Sequence, residues 1–144
     1  MKIDLDRLRA EAAALGFDAA GAAPAGPSPH GPRFLEWLGR GFHGPMAWLA
    51  RDPERRTDPR RVVPEARSLI AVYMRHDLPP TGPMPEDVPR GRIAAYALGD
   101  DYHDLVLPRL RLLADRIGDP AARAWVDTGP VLERAGAEAA GLGW

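Results

Sequence analysis

The sequence of 144 residues contains no cysteine. This absence excludes disulfide bonds, thiolate zinc sites and cysteine-ligated iron–sulfur clusters within the chain. It also agrees with a cytoplasmic location, which we expect for this protein. Lysine is nearly absent, because Lys2 is the single lysine among 19 basic residues. The net charge is -1, so no global positive field draws the chain to nucleic acid. An RNA-binding role would therefore need a local basic patch or a further domain.

Long hydrophobic runs are also missing. No stretch approaches the length that a membrane span requires, and no membrane association is expected. Acidic residues at positions 4, 6 and 11 interrupt the apolar run that a signal peptide would need. The sequence has no phosphate-binding glycine loop and no Ser-His-Asp or Cys-His nucleophile set. With 45% hydrophobic and 27% charged residues, its composition is typical of one globular domain.

Hydrophobic periodicity predicts alternating helices and strands, which is typical of a layered α/β domain. Asp4 is placed to cap the first helix, and Pro108 should start, break or kink a later one. A surface loop is predicted over residues 51–64, and a proline-rich loop over 79–89. Helices are predicted over 5–15, from Phe34 to Gly39 or Gly41, over 46–51, from Asp101 or Asp104 to Ile117, and over 131–140. Strands are predicted over 17–23, 68–74 and 124–126.

The most informative polar segment reads VDTGPVLER and begins at Val126. Asp127 would follow a strand and face the start of a helix, where the crevice of an α/β sheet opens. Burial that raised its pKa would make Asp127 a general acid. The alternative is structural: Asp127 or Thr128 caps the next helix, and Glu133 pairs with a nearby arginine, Arg134 or Arg123.

Two further polar segments also leave two interpretations open. The segment YALGDDYH, residues 96–103, places a histidine beside two aspartates, which could bind a metal or shuttle protons, or could cap a helix. No further metal ligands lie at a suitable spacing. The segment RDPERRTDPRR, residues 51–61, could grip phosphates or carboxylates with its arginines. It could equally be a solvated loop with internal ion pairs, since three acidic residues nearly balance five arginines.

Taken in order, three segments resemble the epoxyqueuosine reductases. They begin with GFHGPMAWL, GRIAAYALGDDYH and WVDTGPVLER, and they cover residues 41–72, 91–114 and 125–144. The resemblance implies an enzyme that uses cobalamin to reduce the epoxide of epoxyqueuosine, at the wobble position of tRNA, to queuosine. It implies a layered α/β cobalamin-binding domain similar to that of the reductive dehalogenases.

The resemblance also implies roles for individual residues. Asp127 matches the aspartate that gives a proton to the opening epoxide, and it would also lie against the cofactor. Arg56 matches an arginine that contacts cobalamin, and its donors suit the amide and phosphate periphery of a corrin. Ala94 would contact the cofactor through its backbone or by packing. Tyr102 and His103 match the DYH motif and are assigned to the same pocket.

Residues 1–144 are accordingly expected to be the N-terminal cobalamin-binding domain of such an enzyme. We expect the chain to end before the two 4Fe-4S clusters and the helical repeats that hold the tRNA, and to be inactive alone. The expected partner is tRNA carrying epoxyqueuosine, with an electron donor that the sequence does not identify, and the expected state is a monomer. Two alternatives stay open: a non-catalytic corrinoid-binding or tRNA-associated module, and a small flavin-binding redox domain.

Overall fold

The computed structural model describes residues 4–76 and 93–144. The predicted loop over residues 79–89 lies outside these ranges. Short 3-10 turns occur at Ala47–Ala50, Pro59–Arg61 and Ala95–Ala97. The helices are α1 (Leu5–Ala14), α2 (Gly31–Gly39), α3 (Pro53–Thr57), α4 (Tyr102–Ile117) and α5 (Glu133–Ala139), and the strands are β1 (Ala19–Pro24) and β2 (Ser68–Tyr73).

The strands β1 and β2 form a two-stranded antiparallel sheet, in which Ala19 lies opposite Tyr73 and Pro24 opposite Ser68. Side chains alternate between the faces of a strand. The face that carries Ala20 and Val72 packs against the main hydrophobic cluster. The opposite face lies against α5. The described part of the chain therefore has helices on both faces of its sheet.

The main cluster is formed where α1 and α4 meet the sheet. Leu8 and Leu113 are the largest fully buried side chains, at 1% and 2% exposed. Each contributes about 1.5–3 kcal/mol to folding through the apolar surface that it buries. An ion pair at 3.0 Å between Arg116 of α4 and Glu11 of α1 lies at the edge of this contact.

On the opposite face, small residues allow α5 to approach the sheet closely. A Cβ at Gly136 would lie 2.9 Å from Cδ2 of Leu69, so the glycine lets the helix sit directly on β2. A Cβ at Gly21 of β1 would collide with the carbonyl oxygen of Ala140. The glycine at each position thus sets how closely α5 packs on the sheet.

The predicted mixture of helices and strands is confirmed in its coarse form, and several elements are confirmed individually. Asp4 caps α1 by accepting from the backbone N–H groups of Asp6 and Arg7. Strand β2 begins at Ser68 as predicted, and α4 ends at Ile117 as predicted. The expectation that Pro108 starts or breaks this helix is wrong, because α4 continues through Pro108. Among the described helices, none is both long and apolar enough to span a bilayer.

Two further predictions about local structure are wrong. Residues 124–126 are not a strand, because they have no ladder partner in the described sheet, which holds β1 and β2 alone. Asp127 therefore does not stand at a strand end but in the loop that leads into α5. The predicted surface loop over residues 51–64 contains the short helix α3, which starts at Pro53 after Asp52. Proline at the first helical position favours this start, since its fixed φ suits a helix.

Candidate functional site

The loop that carries Asp127 turns sharply at that residue. Asp127 has φ 54°, and the N–H of Thr128 donates to the carbonyl oxygen of Val126 at 2.5 Å. Aspartate tolerates this left-handed conformation better than most residues with a side chain. Gly129 is buried, and a Cβ there would lie 2.7 Å from Cβ of Trp125. The loop is therefore folded back on Trp125 and holds the Asp127 carboxyl group at the surface. The burial of Asp127 that the sequence suggested is thus not observed, because the loop turns its side chain outward.

Tyr102, the first residue of α4, contacts Asp127 directly. Its hydroxyl donates to Oδ2 of Asp127 across 25 residues of sequence. This hydrogen bond, with smaller contributions from burial and nearby negative charge, raises the pKa of Tyr102 to about 12. The phenol thus keeps its proton throughout the physiological range and orients the Asp127 carboxyl group.

The capping residue of α4 places the adjacent histidine. Asp101 accepts from the backbone N–H of His103 at 2.9 Å and from its Nδ1 at 2.7 Å. These bonds lower the pKa of Asp101, the backbone N–H having the larger effect. The His103 ring stacks on Tyr102, with ring centres 4.3 Å apart. The capping interpretation of this segment is confirmed, and the cap also holds the His103 ring against Tyr102, which bonds to Asp127.

Glu133, the first residue of α5, is the second carboxyl group at this place. Burial, followed by its contact with the Asp127 carboxyl group, raises the pKa of Glu133 to about 7. The backbone N–H of Asp127 and the nearby His103 act in the opposite direction without overcoming these effects. Oε1 of Glu133 is buried and has no hydrogen-bond partner among the described residues. The cluster thus consists of the carboxyl groups of Asp127 and Glu133 with the side chains of Tyr102 and His103.

The structural alternative for this segment is wrong. The residue that caps α5 is Leu132, without a side-chain hydrogen bond, so neither Asp127 nor Thr128 caps the helix. Within residues 4–76 and 93–144, no ion pair joins Glu133 to either arginine proposed for it. Arg123 instead donates to the carbonyl oxygens of Pro120 and Ala122.

Arg56, in α3, reaches the same loop from another part of the chain. Its Nη1 donates to the carbonyl oxygen of Gly129 at 3.2 Å, and its Nε is buried with no partner in the described part of the chain. For three other arginines of the 51–61 segment, the ion-pair interpretation is confirmed. These pairs are Arg55–Asp52 at 3.9 Å, Arg60–Asp58 at 2.7 Å and Arg61–Glu54 at 2.8 Å.

Ala94 lies apart from this cluster. It is exposed, and its carbonyl oxygen accepts from the N–H of Ala97 at 2.9 Å. None of the contacts in the described ranges joins Ala94 to Asp127. The segment that follows it forms an open depression of about 350 Å³. Seven residues line that depression: Tyr96, Ala97, Gly99, Asp100, Asp101, Tyr102 and His103.

A larger depression, of about 450 Å³, lies on α3. Its walls include the Arg55–Asp52 and Arg61–Glu54 ion pairs, and none of its lining residues belongs to the Asp127 cluster. The charged side chains around this depression form ion pairs with each other. The Asp127 cluster instead contains buried polar atoms that have no hydrogen-bond partner among the described residues. We therefore place the candidate site at Asp127. In the described ranges, no group of three or more metal-binding side chains is found.

Comparison with known proteins gives the family. The sequence profile described as "Epoxyqueuosine reductase QueG, DUF1730" matches residues 56–128, about half of the chain. The chain belongs to the epoxyqueuosine reductase family. An epoxyqueuosine reductase from Gloeobacter violaceus is 42% identical over 144 residues, which cover 96% of this chain and 44% of the relative. The chain spans less than half the length of the curated relatives that it matches first.

Solved structures show the same fold. An epoxyqueuosine reductase crystallised with an epoxyqueuosine-modified stem loop of tyrosine tRNA has a TM-score of 0.71 and 28% identity. The reductase from Bacillus subtilis, with an aspartate-bearing catalytic loop swung out of its active site, has a TM-score of 0.68 and 27% identity. Each match covers 96% of this chain and 38% of the solved chain.

Proposed function

We propose that this chain is the cofactor- and substrate-facing part of an epoxyqueuosine reductase, which reduces the epoxide of epoxyqueuosine in tRNA to queuosine. The observation that carries this proposal is the convergence of Arg56, Tyr102 and Glu133 on the loop of Asp127. Relatives of known structure support it, because one holds an epoxyqueuosine-modified stem loop and another has a catalytic loop with an aspartate.

Asp127 is the proton donor in this proposal. As a C–O bond of the epoxide opens, the O–H bond of the Asp127 carboxyl group breaks and its proton passes to the developing alkoxide. Asp127 is left as a carboxylate, which the hydroxyl of Tyr102 stabilises through its hydrogen bond to Oδ2. A positioned acid of this kind contributes roughly 10²–10⁴-fold to a rate.

Cobalamin is the proposed cofactor, and two orphaned atoms fit it. The Nε–H of Arg56 has no acceptor among the residues that the structure describes, and a buried donor of this kind costs about 1–3 kcal/mol when unsatisfied. In the tautomer of His103 that donates from Nδ1 to Asp101, the buried Nε2 is an acceptor with no partner in the described part of the chain. The amide groups at the edge of a corrin offer both an acceptor and a donor.

The residues that would hold the cofactor are Arg56, Tyr102 and His103, with the backbone at Ala94. The depression of about 350 Å³ beside Tyr102 would receive one edge of the ring. When bound, cobalamin supplies the electrons for the reduction. The two 4Fe-4S clusters that the family implies would have to lie outside this chain, which has no cysteine to ligate them.

The test is an activity assay with a defined protein. Residues 1–144 are fused to the remaining part of the Gloeobacter violaceus reductase, loaded with cobalamin and given a chemical reductant. We expect conversion of epoxyqueuosine to queuosine in a tRNA stem loop, read by mass spectrometry. A fusion that binds cobalamin and leaves the stem loop unchanged contradicts the activity. Binding of flavin instead of cobalamin, seen in the visible absorption spectrum, contradicts the cofactor.

A further inference from the structure

An unbroken series of contacts runs from the cap of α4 to the carboxyl group of Asp127. Asp101 accepts from the backbone N–H of His103 at 2.9 Å and from its Nδ1 at 2.7 Å. The His103 ring stacks on the Tyr102 ring, with 4.3 Å between centres and 28° between planes. The Tyr102 hydroxyl then donates to Oδ2 of Asp127. The orientation of the proposed acid can therefore be traced, contact by contact, to a helix cap.

We propose that His103 is a positioning residue, whose ring holds the Tyr102 hydroxyl on Oδ2 of Asp127 and so leaves Oδ1 as the oxygen that carries the transferable proton. This inference rests on the proposed function for the role of Asp127 as the acid. The orientation itself needs neither cofactor nor substrate, since every contact in the series lies within the described chain.

The surroundings of Tyr102 explain why its ring needs to be held. Tyr102 is half-buried, and the Tyr96 ring that approaches its edge at 6.3 Å is itself 55% exposed. Consecutive residues of a helix normally point in different directions, so a stack between Tyr102 and His103 requires a further group that fixes one of the rings. Asp101 supplies this group through Nδ1 of His103. The tethered histidine thus limits the rotation of the tyrosine side chain.

The hydrogen bond from Tyr102 decides which oxygen of Asp127 bears the proton. A protonated carboxyl group has one hydroxyl oxygen and one carbonyl oxygen, and the carbonyl oxygen is the better acceptor. Because Tyr102 donates to Oδ2, the proton lies on Oδ1. Transfer to the developing alkoxide breaks the Oδ1–H bond, and the negative charge that remains is shared with Oδ2. There the hydrogen bond from the phenol becomes charge-assisted and stronger.

The first test observes the Tyr102 hydroxyl in the 144-residue chain at neutral pH, without cobalamin or tRNA. Tyrosine labelled with ¹³C at Cζ gives one NMR signal for each of the three tyrosines, and Tyr102→Phe identifies the signal of Tyr102. Donation to a carboxylate displaces this signal from that of the exposed Tyr73. Asp127→Ala and His103→Ala should both move it toward the Tyr73 position. His103→Phe keeps a ring for stacking and should restore part of the displacement.

The matched control is His30→Ala, which also removes a histidine bound to a carboxylate. His30 contacts Glu138 at 2.6 Å and the ring of Trp144, and its loss should leave the Tyr102 signal unchanged. Asp101→Ser keeps a capping oxygen for α4 but removes the carboxylate that holds the histidine ring, so it should also move the signal. A Tyr102 signal that stays in place in both His103→Ala and Asp101→Ser overturns the proposal.

The second test is a double-mutant cycle in the active fusion with saturating cobalamin. Tyr102→Phe and His103→Ala should each lower kcat by roughly tenfold, about the effect of one lost hydrogen bond to a charged group, and leave KM for the stem loop unchanged. Because His103 acts through Tyr102, the double variant should be no slower than Tyr102→Phe alone. Losses that add would show that His103 acts separately and would overturn the inference.

The two tests also separate this inference from the proposed function. The NMR signal of Tyr102 requires no activity, so a signal that contradicts the series of contacts leaves the reductase proposal standing. An inactive fusion counts against the reductase proposal, and the orientation of Asp127 by Tyr102 and His103 is then still decided by the NMR signal.

Discussion

Nη1 of Arg56 donates to the carbonyl oxygen of Gly129 at 3.2 Å, across 73 residues of sequence. This hydrogen bond ties α3 to the loop that presents Asp127. The guanidinium group has five N–H donors, so it can hold the loop and still offer its Nε–H to a ligand. One side chain thus links the position of the proposed acid to the proposed cofactor.

Arg56→Ala should weaken the binding of cobalamin by about 10–100-fold, because hydrogen bonds from a charged donor contribute about 1.5–3 kcal/mol. The measurement is an absorbance titration of the fusion with cobalamin. Arg55→Ala is the matched control, since Arg55 belongs to the same helix and meets Asp52 at its surface. Equal affinities for the two variants would remove Arg56 from the cofactor site.

Asp127→Asn should lower the turnover of the modified stem loop by roughly 10²–10⁴-fold, because the amide keeps the size of the side chain but has no transferable proton. Cobalamin affinity and the melting temperature should change little. Asp115→Asn, an exposed change on α4, controls for the loss of one negative charge. Turnover that survives in Asp127→Asn would exclude this residue as the acid.

The stability of the chain should depend on pH through Glu133. The folded-state pKa of Glu133 is raised from 4.5 to about 7, so the folded state retains a proton that the unfolded chain releases. The protonated Glu133 therefore stabilises the folded state fully below about pH 4.5, and this stabilisation is lost as pH rises through about 7.

Relative to Glu133→Gln, the unmodified chain should therefore lose about 1 kcal/mol between these two pH values, a figure reduced because the group is partly exposed. Urea unfolding of both proteins at several pH values measures this difference. A difference that does not vary with pH would show that Glu133 titrates alike in the folded and unfolded states.

Gly129→Ala should destabilise the chain by about 1–3 kcal/mol, because the new Cβ would meet Cβ and Cγ of Trp125 at 2.7 Å. These atoms lie next to the backbone and cannot swing away as the end of a long side chain would. Gly26→Ala is the control, since its Cβ would have no atom within 4 Å. Thermal unfolding compares the two variants, and equal melting temperatures would contradict the close packing of the loop.

Leu113→Ala should lower the free energy of unfolding by about 2–5 kcal/mol, because it opens a cavity between α1, α4 and the sheet. Leu112→Ala changes the neighbouring residue, which is 50% exposed against 2% for Leu113. Urea denaturation should show little change for Leu112→Ala. Similar losses for both variants would contradict the orientation of α4 on the sheet.

Much of the fold could be predicted from local patterns. The spacing of Leu8 and Ala12 indicates the buried stripe of α1, and Asp4 and Asp101 occur where the helices α1 and α4 need caps. The strand β2 stands out as a short apolar run that includes Ile70, Val72 and Tyr73, bounded by a charged segment and a proline-rich one. Such signals act over a few residues, so they can be seen without the tertiary structure.

The error at residues 124–126 shows where local patterns fail. An extended apolar segment becomes a strand only when another strand offers its N–H and C=O groups, and the described sheet offers none here. Because that pairing depends on distant residues, the sequence around Trp125 contains no reliable sign of it. The inference that Asp127 follows a strand was wrong for the same reason.

By itself, the sequence determined the family, through the order of its three segments over residues 41–72, 91–114 and 125–144, and it indicated which short stretches hold the polar residues. Only the tertiary structure decided how those residues meet. Of the five arginines in residues 51–61, it is Arg56 that donates to the loop of Asp127. Glu133 lies near the Asp127 carboxyl group and not in the ion pair that was expected for it. The physical reason is that the pKa of a carboxyl group and its hydrogen bonds depend on distance and burial, which are set by contacts between residues far apart in the chain.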